Sequence, residues 1–598
     1  MSGPDHGGNG LILKSVFFRG KKVKNRSGAA AEPNLVFPAC GTSRKSRIFP
    51  GGDLKKRLRE VCYQLEKKRF TGNTADRRQC RLQMEKRNAM KLNFIKNTRR
   101  NAIAAIVNRI LGGLFPFLNR TLFLWLLGPA YLGLNSLFGS ILGVLMLAEL
   151  GFGTAVVCSM YKPVADDNRE LLCAYLNFFR TVYRWVGGII LIAGLCLMPF
   201  LRRLVHGSLP PDIDLHILYL LHLLNTAFSY FFFAYRSVVL SAYHRQDVLT
   251  NIRSVVSILQ YIAVFLILLL TKNYYFYVVV TVVFTIAQNI MIVRESRLLF
   301  PEITPGGELS PDLRRKVVSD VKSIFMHKVG SAITYSFDNV IISAFLGLVA
   351  VAAYGNYYYV CTNVAGIPWA LYNSMTGGFG NRIHTASKAE NFRLFMRANQ
   401  LVGIVVVWCT AMMTALYQPF IQEWARGNTS LVCHFLTPLL MVLYFYVNQS
   451  RQVLLSYKAA AGLWRQDRWK PVTAGILNLS LNFLFVKYFS PEYKLDGVIL
   501  STIIAFILVQ SPWESHVMFS VFFNSEQGRL YWQRQFRLFL LAVMLSSVTW
   551  CAAHLVTLTG IPGLIAKAAA AAAISGGFLA AFYQDIITEL AKKALRKQ

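Results

Sequence analysis

Runs of about 20 apolar residues recur from position 101 to the end of the chain, separated by short polar breaks. A helix needs that length to cross roughly 30 Å of hydrocarbon, and such repetition excludes a single soluble core. Fourteen candidate spans can be placed, near 103–126, 131–159, 173–200, 214–242, 250–271, 273–293, 320–346, 350–380, 395–418, 430–456, 471–488, 496–522, 535–556 and 562–586. The mean hydropathy of +0.40 agrees with this placement. The expected fold class is an all-α polytopic membrane protein of about 14 transmembrane helices.

The chain also repeats itself. The stretch 334–360, TYSFDNVIISAFLGLVAVAAYGNYYYV, is an apolar helix carrying Asp338, an uncharged turn at Gly347, and an aromatic-rich helix. About 220 positions earlier, FLNRTLFLWLLGPAYLGL (117–134) has the same layout, with Arg120 in the first helix and Gly128-Pro129 at the turn. A second match lies in spans four and ten. Arg236-Ser-Val-Val-Leu-Ser241 leads into Tyr243 and Arg245-Gln-Asp247; Arg451-Gln-Val-Leu-Leu-Ser456 leads into Tyr457 and Arg465-Gln-Asp467. Six spans per copy is an even number, so both copies start on the same side and form two parallel six-helix lobes, with two further helices at the C-terminus.

The net charge of +35 is explained by its placement. Loops on the side of the termini, with the C-terminal tail, hold 24 Lys and Arg, whereas the opposite loops hold 6. That bias is the positive-inside signature, so both termini are expected to be cytoplasmic, and the charge signals topology and anionic membrane lipids rather than nucleic acid. The ten cysteines show no metal-ligand spacing, and no nucleotide motif or catalytic constellation is present, so neither a metal, a cofactor nor an enzymatic role is expected.

The expected organisation is a basic cytoplasmic tail (1–89), an N-lobe of spans one to six (90–293), a Pro/Gly-bearing cytoplasmic linker (294–319), a C-lobe of spans seven to twelve (320–523), and two extra spans with a basic tail (524–598). The tail carries 21 Lys and Arg against 7 Asp and Glu, with no apolar signal region. It reads as disordered, apart from a basic amphipathic stretch at 53–70, and whether it belongs to the mature protein is left open.

Charges within spans cost about 2.5–3.5 kcal/mol each at mid-bilayer, so each needs a partner or a purpose. Arg109, Arg120, Arg236 and Arg451 outnumber the acids Glu149 and Asp338. An arginine-rich cavity suits an anionic ligand, above all phosphate or pyrophosphate, which guanidinium binds bidentately. Arg120 and Asp338 stand at nearly equivalent points of the two copies. They are candidates for a gate pair, or each is satisfied inside its own lobe. Glu149 is placed to neutralise a neighbour such as Arg109, or to titrate.

The segments LGPAYLGLNSLFGSILGVLMLAELGFG (127–153), SFDNVIISAFLGLVAVAAYGNYYYV (336–360) and DGVILSTIIA (496–505) resemble the multidrug/oligosaccharidyl-lipid/polysaccharide exporter superfamily, in detail its bacterial polysaccharide repeat-unit flippases. The likeness spans roughly 90–530. It implies two lobes around a central cavity that opens alternately to either side of the bacterial cytoplasmic membrane. The implied cargo is a polyprenyl-pyrophosphate-linked oligosaccharide for capsule, exopolysaccharide or O-antigen. Arg109, Arg120, Arg236 and Arg451 would bind it, and Asp338 or Glu149 would gate or couple to an H+ or Na+ gradient. The implied partners are membrane lipids, a polysaccharide polymerase and glycosyltransferases. A peptidoglycan-precursor flippase or a cation-coupled multidrug exporter of the same superfamily is the alternative, and a membrane polysaccharide polymerase is a more distant one, because no large outer loop exists to hold catalytic groups.

Overall fold

The structure is a computed structural model that describes residues 112–146, 152–207, 209–231, 234–463 and 466–584. Arg109 and Glu149 lie outside the described residues, as does the basic tail. The described residues belong to one compact unit, Arg99–Gln598.

Among the described residues the regular elements are all helical. In the first half they are α1 (Gly112–Leu127), α2 (Pro129–Leu145), α3 (Phe152–Ala165), α4 (Arg169–Leu197), α5 (Leu215–Phe231), α6 (Ser237–Ala242), α7 (Gln246–Thr271) and α8 (Tyr274–Leu299). In the second they are α9 (Pro311–Leu346), α10 (Leu348–Thr385), α11 (Lys388–Trp424), α12 (Leu436–Ser450), α13 (Gln452–Ala460) and α14 (Lys470–Tyr488). After these come α15 (Lys494–Ala505), α16 (Ser511–Val517), α17 (Ser525–His554) and α18 (Gly560–Phe582). Taking α2 with α3, α5 with α6, α12 with α13, and α15 with α16 as single passes, the described residues form fourteen passes.

Eight described passes are long and apolar enough to span a membrane unaided, and four shorter apolar helices accompany them. The helices α10 (38 residues) and α14 (19 residues) are long enough but fall in neither group, because polar side chains interrupt their apolar runs. They carry much of the candidate site.

Local signals set the helix ends. Pro129 and Pro311 open α2 and α9, where a missing N–H costs nothing. Reciprocal capping boxes start α11 (Ser387 with Glu390) and α17 (Asn524 with Gln527). The duplication is visible in the backbone: Gly128 (φ 103°, ψ 175°) and Gly347 (φ 90°, ψ 175°) adopt the same positive-φ conformation between α1 and α2 and between α9 and α10. Side chains with a β-carbon rarely reach that region.

Spans four and ten, expected as continuous helices, are both broken, and at equivalent residues. A 3₁₀ turn at Ala234–Arg236 precedes α6, and Arg451 separates α12 from α13, so each R-x-V-x-L-S motif begins at a break with its arginine at the N-cap. Span twelve holds two π-helical turns, Phe506–Gln510 and Met518–Phe522, on either side of α16.

Two apolar cores form. The first gathers residues of α1–α8 with Val317 and Val321 from the start of α9 and Leu348, Ala352 and Ala353 from the start of α10. The second gathers α10–α16 with Ile341 and Ile342 from the end of α9, and takes in Leu538 and Leu545 of α17 and Leu579 of α18. Helix α9 thus contributes to both cores, and the last two helices pack on the second half.

Candidate functional site

Near the Gly128 and Gly347 turns, α1 and α2 approach α9, α10 and the end of α11, while α3 and the start of α9 add further contacts between the halves. Glycine makes the approach possible, since a β-carbon on Gly133 of α2 would overlap the carbonyl of Leu348. Polar bonds then cross the seam. Arg120 Nε donates to Asn356 Oδ1 at 2.9 Å, Asn339 Nδ2 to Ser140 Oγ at 2.8 Å, and Trp424 Nε1 to Thr121 Oγ1 at 2.8 Å. The Arg120 guanidinium also lies 5.6 Å from the Tyr359 ring centre, and its buried Nη2 has no hydrogen-bond partner.

Beside this seam runs a cavity of about 770 Å³ between α1, α10, α11 and α18. Phe117, Tyr359, Trp408, Leu416, Phe420 and Leu564 line it, and among the described residues no charged one does. Tyr359 is the shared corner. One side of the ring region faces the guanidinium of Arg120, while the residue itself forms part of the apolar wall.

Asp338 is buried inside the second half, 3% exposed. Its carboxylate accepts from Asn482 Nδ2 (2.9 Å), Thr502 Oγ1 (3.2 Å) and Tyr354 Oη (3.3 Å). Asn478 Nδ2 donates to Thr502 Oγ1 at 2.8 Å, and Ser501 donates to the side-chain oxygen of Asn482 and to the Val498 carbonyl. Four helices therefore focus one carboxylate and several neutral oxygens on one point. Asp338 and Arg120 do not pair: the acid is satisfied within its own half, and the arginine reaches across to a neutral amide instead.

Arg451 lies in a third cluster. Its Nη1 is 3.2 Å from Glu514 Oε1, and its guanidinium sits 4.7 Å over the Phe506 ring. Lys470 Nζ bridges Glu514 (2.6 Å) and Asp467 (3.2 Å), and Lys458 pairs with Asp467. Lys458 and Lys470, two of the 24 basic residues assigned to the side of the termini, are buried, 1% and 6% exposed, because the turn after α13 folds Asp467 back onto them. Arg236, the counterpart of Arg451, is 3% exposed and has no carboxylate within ion-pair distance among the described residues. Its Nε and Nη1 find no hydrogen-bond partner. The repeated Arg-Gln-Asp motif is also used differently, since Asp247 pairs with the exposed Arg245 at 3.0 Å.

Neither a family model nor a curated protein matches the sequence. Solved structures do. A structure described as lipid II flippase MurJ in an inward closed conformation superposes with a TM-score of 0.59 at 16% identity, over 81% of this chain and 99% of its own. An inward-facing multidrug resistance MATE transporter of the MOP superfamily superposes with a TM-score of 0.53 at 13% identity, over 68% of this chain and 94% of its own.

The fold is that of the MOP transporters.

Within this MOP fold the described charged residues named from the sequence fall in four separate places: Arg120 at the seam, Asp338 inside the second half, Arg236 buried in the first half and Arg451 buried beside Glu514 in the second. Sequence reasoning missed Asn356, the Asn478–Asn482–Thr502 set, and Glu514. A signal existed for the second of these. Asn478 and Asn482 stand four residues apart in an apolar span, as do Val498 and Thr502, so each pair shares a helix face.

Proposed function

We propose that this chain flips a polyprenyl-pyrophosphate-linked oligosaccharide across the bacterial cytoplasmic membrane, supplying capsule, exopolysaccharide or O-antigen synthesis. The observation that carries this reading is Arg120, a guanidinium with an unpartnered nitrogen, packed on Tyr359, which also lines the 770 Å³ groove whose described lining is uncharged. A cation beside an apolar channel fits an amphiphile whose anionic headgroup joins a long hydrocarbon chain. The pyrophosphate would take the guanidinium fork, and the polyprenyl chain would lie along Phe117, Trp408 and Leu564. An organic-cation exporter would need the opposite charge at this point.

Alternating access requires the seam to open, which breaks its polar bonds, that of Arg120 to Asn356 among them. Arg236 and Arg451 lie deeper in their halves and act on the cargo only when the halves rearrange. The Asp338 cluster is the ion-coupling group of this reading. Its donors are all oxygen or amide, which suits a proton or a hard cation such as Na+ and not a thiophilic metal. Both termini face the cytoplasm in this arrangement, where glycosyltransferases supply the cargo, and a polymerase consumes it on the far side.

A second reading, flipping of a peptidoglycan precursor, is favoured by the overlap with 99% of a chain named as a lipid II flippase. One experiment separates the two. The full chain is reconstituted in vesicles with either fluorescent lipid II or a fluorescent polyprenyl-pyrophosphate oligosaccharide without peptide, and exposure of the headgroup at the far leaflet is timed. Faster exposure of the peptide-free lipid, lost in Arg120→Gln, supports the proposal. Movement of lipid II alone replaces it with the second reading, and rates equal to empty vesicles for both lipids sink both.

A further inference from the structure

The second half contains a cavity chemically unlike the apolar groove. It lies between α10 and the α12–α13 break and has a volume of about 430 Å³, within the roughly 300–1,000 Å³ of small-ligand pockets. Its walls combine rings and amides. Tyr358, Tyr444 and Trp369 supply aromatic faces; Asn448, Gln449 and Gln452 supply carboxamides. Among the described residues, no lysine, arginine, aspartate or glutamate lines it.

The rings are held in place. Tyr358 stacks on Tyr354 with centroids 5.8 Å apart and meets Tyr444 at 6.1 Å, while Tyr444 stacks on Phe506 at 5.7 Å. Trp369 is 45% exposed at the rim. Gln452 Nε2 donates to the backbone and side-chain oxygens of Asn448, both at 3.1 Å, which leaves the Gln452 carbonyl oxygen uncommitted by that pair. Gln449 is only 6% exposed, and its Oε1 has no hydrogen-bond partner. A buried acceptor left unmade costs about 1–3 kcal/mol, so a missing donor is implied at this point.

Resting on the flippase reading above, we propose that this cavity is the subsite for the uncharged sugar rings of the cargo. Each amide offers a donor and an acceptor in one plane, which matches adjacent hydroxyls on a pyranose edge. Fixed aromatic faces match its C–H face. A cationic guest would be expected to find a carboxylate beside the rings, and an anionic one a basic group; this cavity offers neither. Placement agrees with chemistry. Thr362, at the cavity wall, follows Asn356 by six residues on α10, a rise of roughly 9 Å. Six residues also turn about 240° around the helix axis, so the sugar cavity and the Arg120 contacts occupy different faces of α10, and the apolar groove receives the chain on the Arg120 side.

The test uses the full chain in phosphocholine nanodiscs, free of glycoside detergent, and saturation-transfer NMR with maltotriose, cellotriose and chitotriose as probes, each up to tens of millimolar. Inorganic pyrophosphate serves as a separate probe. At least one trisaccharide is expected to receive saturation on its ring protons, with affinity falling about tenfold in Gln449→Leu and in Trp369→Leu and unchanged in Arg120→Gln. Pyrophosphate binding should show the reverse pattern. Trp369 lies at an exposed rim, so its variant keeps the test alive if Gln449→Leu misfolds. Absence of binding by all three sugars, or equal binding by wild type and the Trp369→Leu variant, overturns the subsite. Loss of vesicle flipping with sugar binding intact overturns the flippase reading instead.

Discussion

Arg120 Nε lies 2.9 Å from Asn356 Oδ1, a bond that joins two residues 236 positions apart and ties the first half of the chain to the second. It is a charge-to-neutral bond, worth about 1.5–3 kcal/mol by analogy with other bonds to charged groups. A carboxylate at position 356 would hold the guanidinium more tightly and compete with an anionic cargo. An amide holds it in position and releases it.

That difference can be measured. Asn356→Asp is expected to slow flipping about tenfold or more by holding the seam shut, whereas Asn356→Ala should leave pyrophosphate binding within a few-fold of wild type. Equal rates for Asn356→Asp and wild type would show that this bond does not gate the cycle.

Gly133 packs against the Leu348 carbonyl with no space for a β-carbon. Forcing one into a packed interface costs typically 1–3 kcal/mol. Gly133→Ala should therefore open the seam, seen as faster thiol labelling of a cysteine placed at Ser140, with a modest fall in melting temperature. Unchanged labelling would mean that the halves adjust elsewhere.

Asp338 accepts three hydrogen bonds inside the second half, and Asn478 completes the surrounding set of polar atoms. Asp338→Asn keeps the volume and removes the charge. The variant should fold, bind pyrophosphate at Arg120 as before, and lose any dependence of flipping on an imposed Na+ or pH gradient. Retention of that dependence would move the coupling group to another residue.

Glu514 is fully buried and contacts both Arg451 and Lys470. Removing one partner of a buried ion cluster costs about 3–5 kcal/mol, because the remaining charges stay buried without compensation. Glu514→Gln should lower the melting temperature markedly. Adding Arg451→Met, which keeps the contact with Phe506, should recover part of the loss. If the double variant is no more stable than the single one, the cluster is not held together by this pair.

Membrane class and duplication were legible in the sequence because both are local properties. Twenty apolar residues make a span wherever they stand, and a glycine turn repeated at 128 and 347 marks the same turn twice, with the same backbone angles. Which charges were present was equally plain. Their partners were not, since hydropathy and spacing carry no information on which side chains from distant segments share a pocket. Only the packing of α10 on α1 gave Arg120 an amide rather than Asp338, and only the fold-back after α13 buried Lys458 and Lys470 with Asp467. The breaks at Arg236 and Arg451 were likewise decided by tertiary structure: their segments read as continuous apolar helices, and it took burial of the arginines within each half to set where the helix stops.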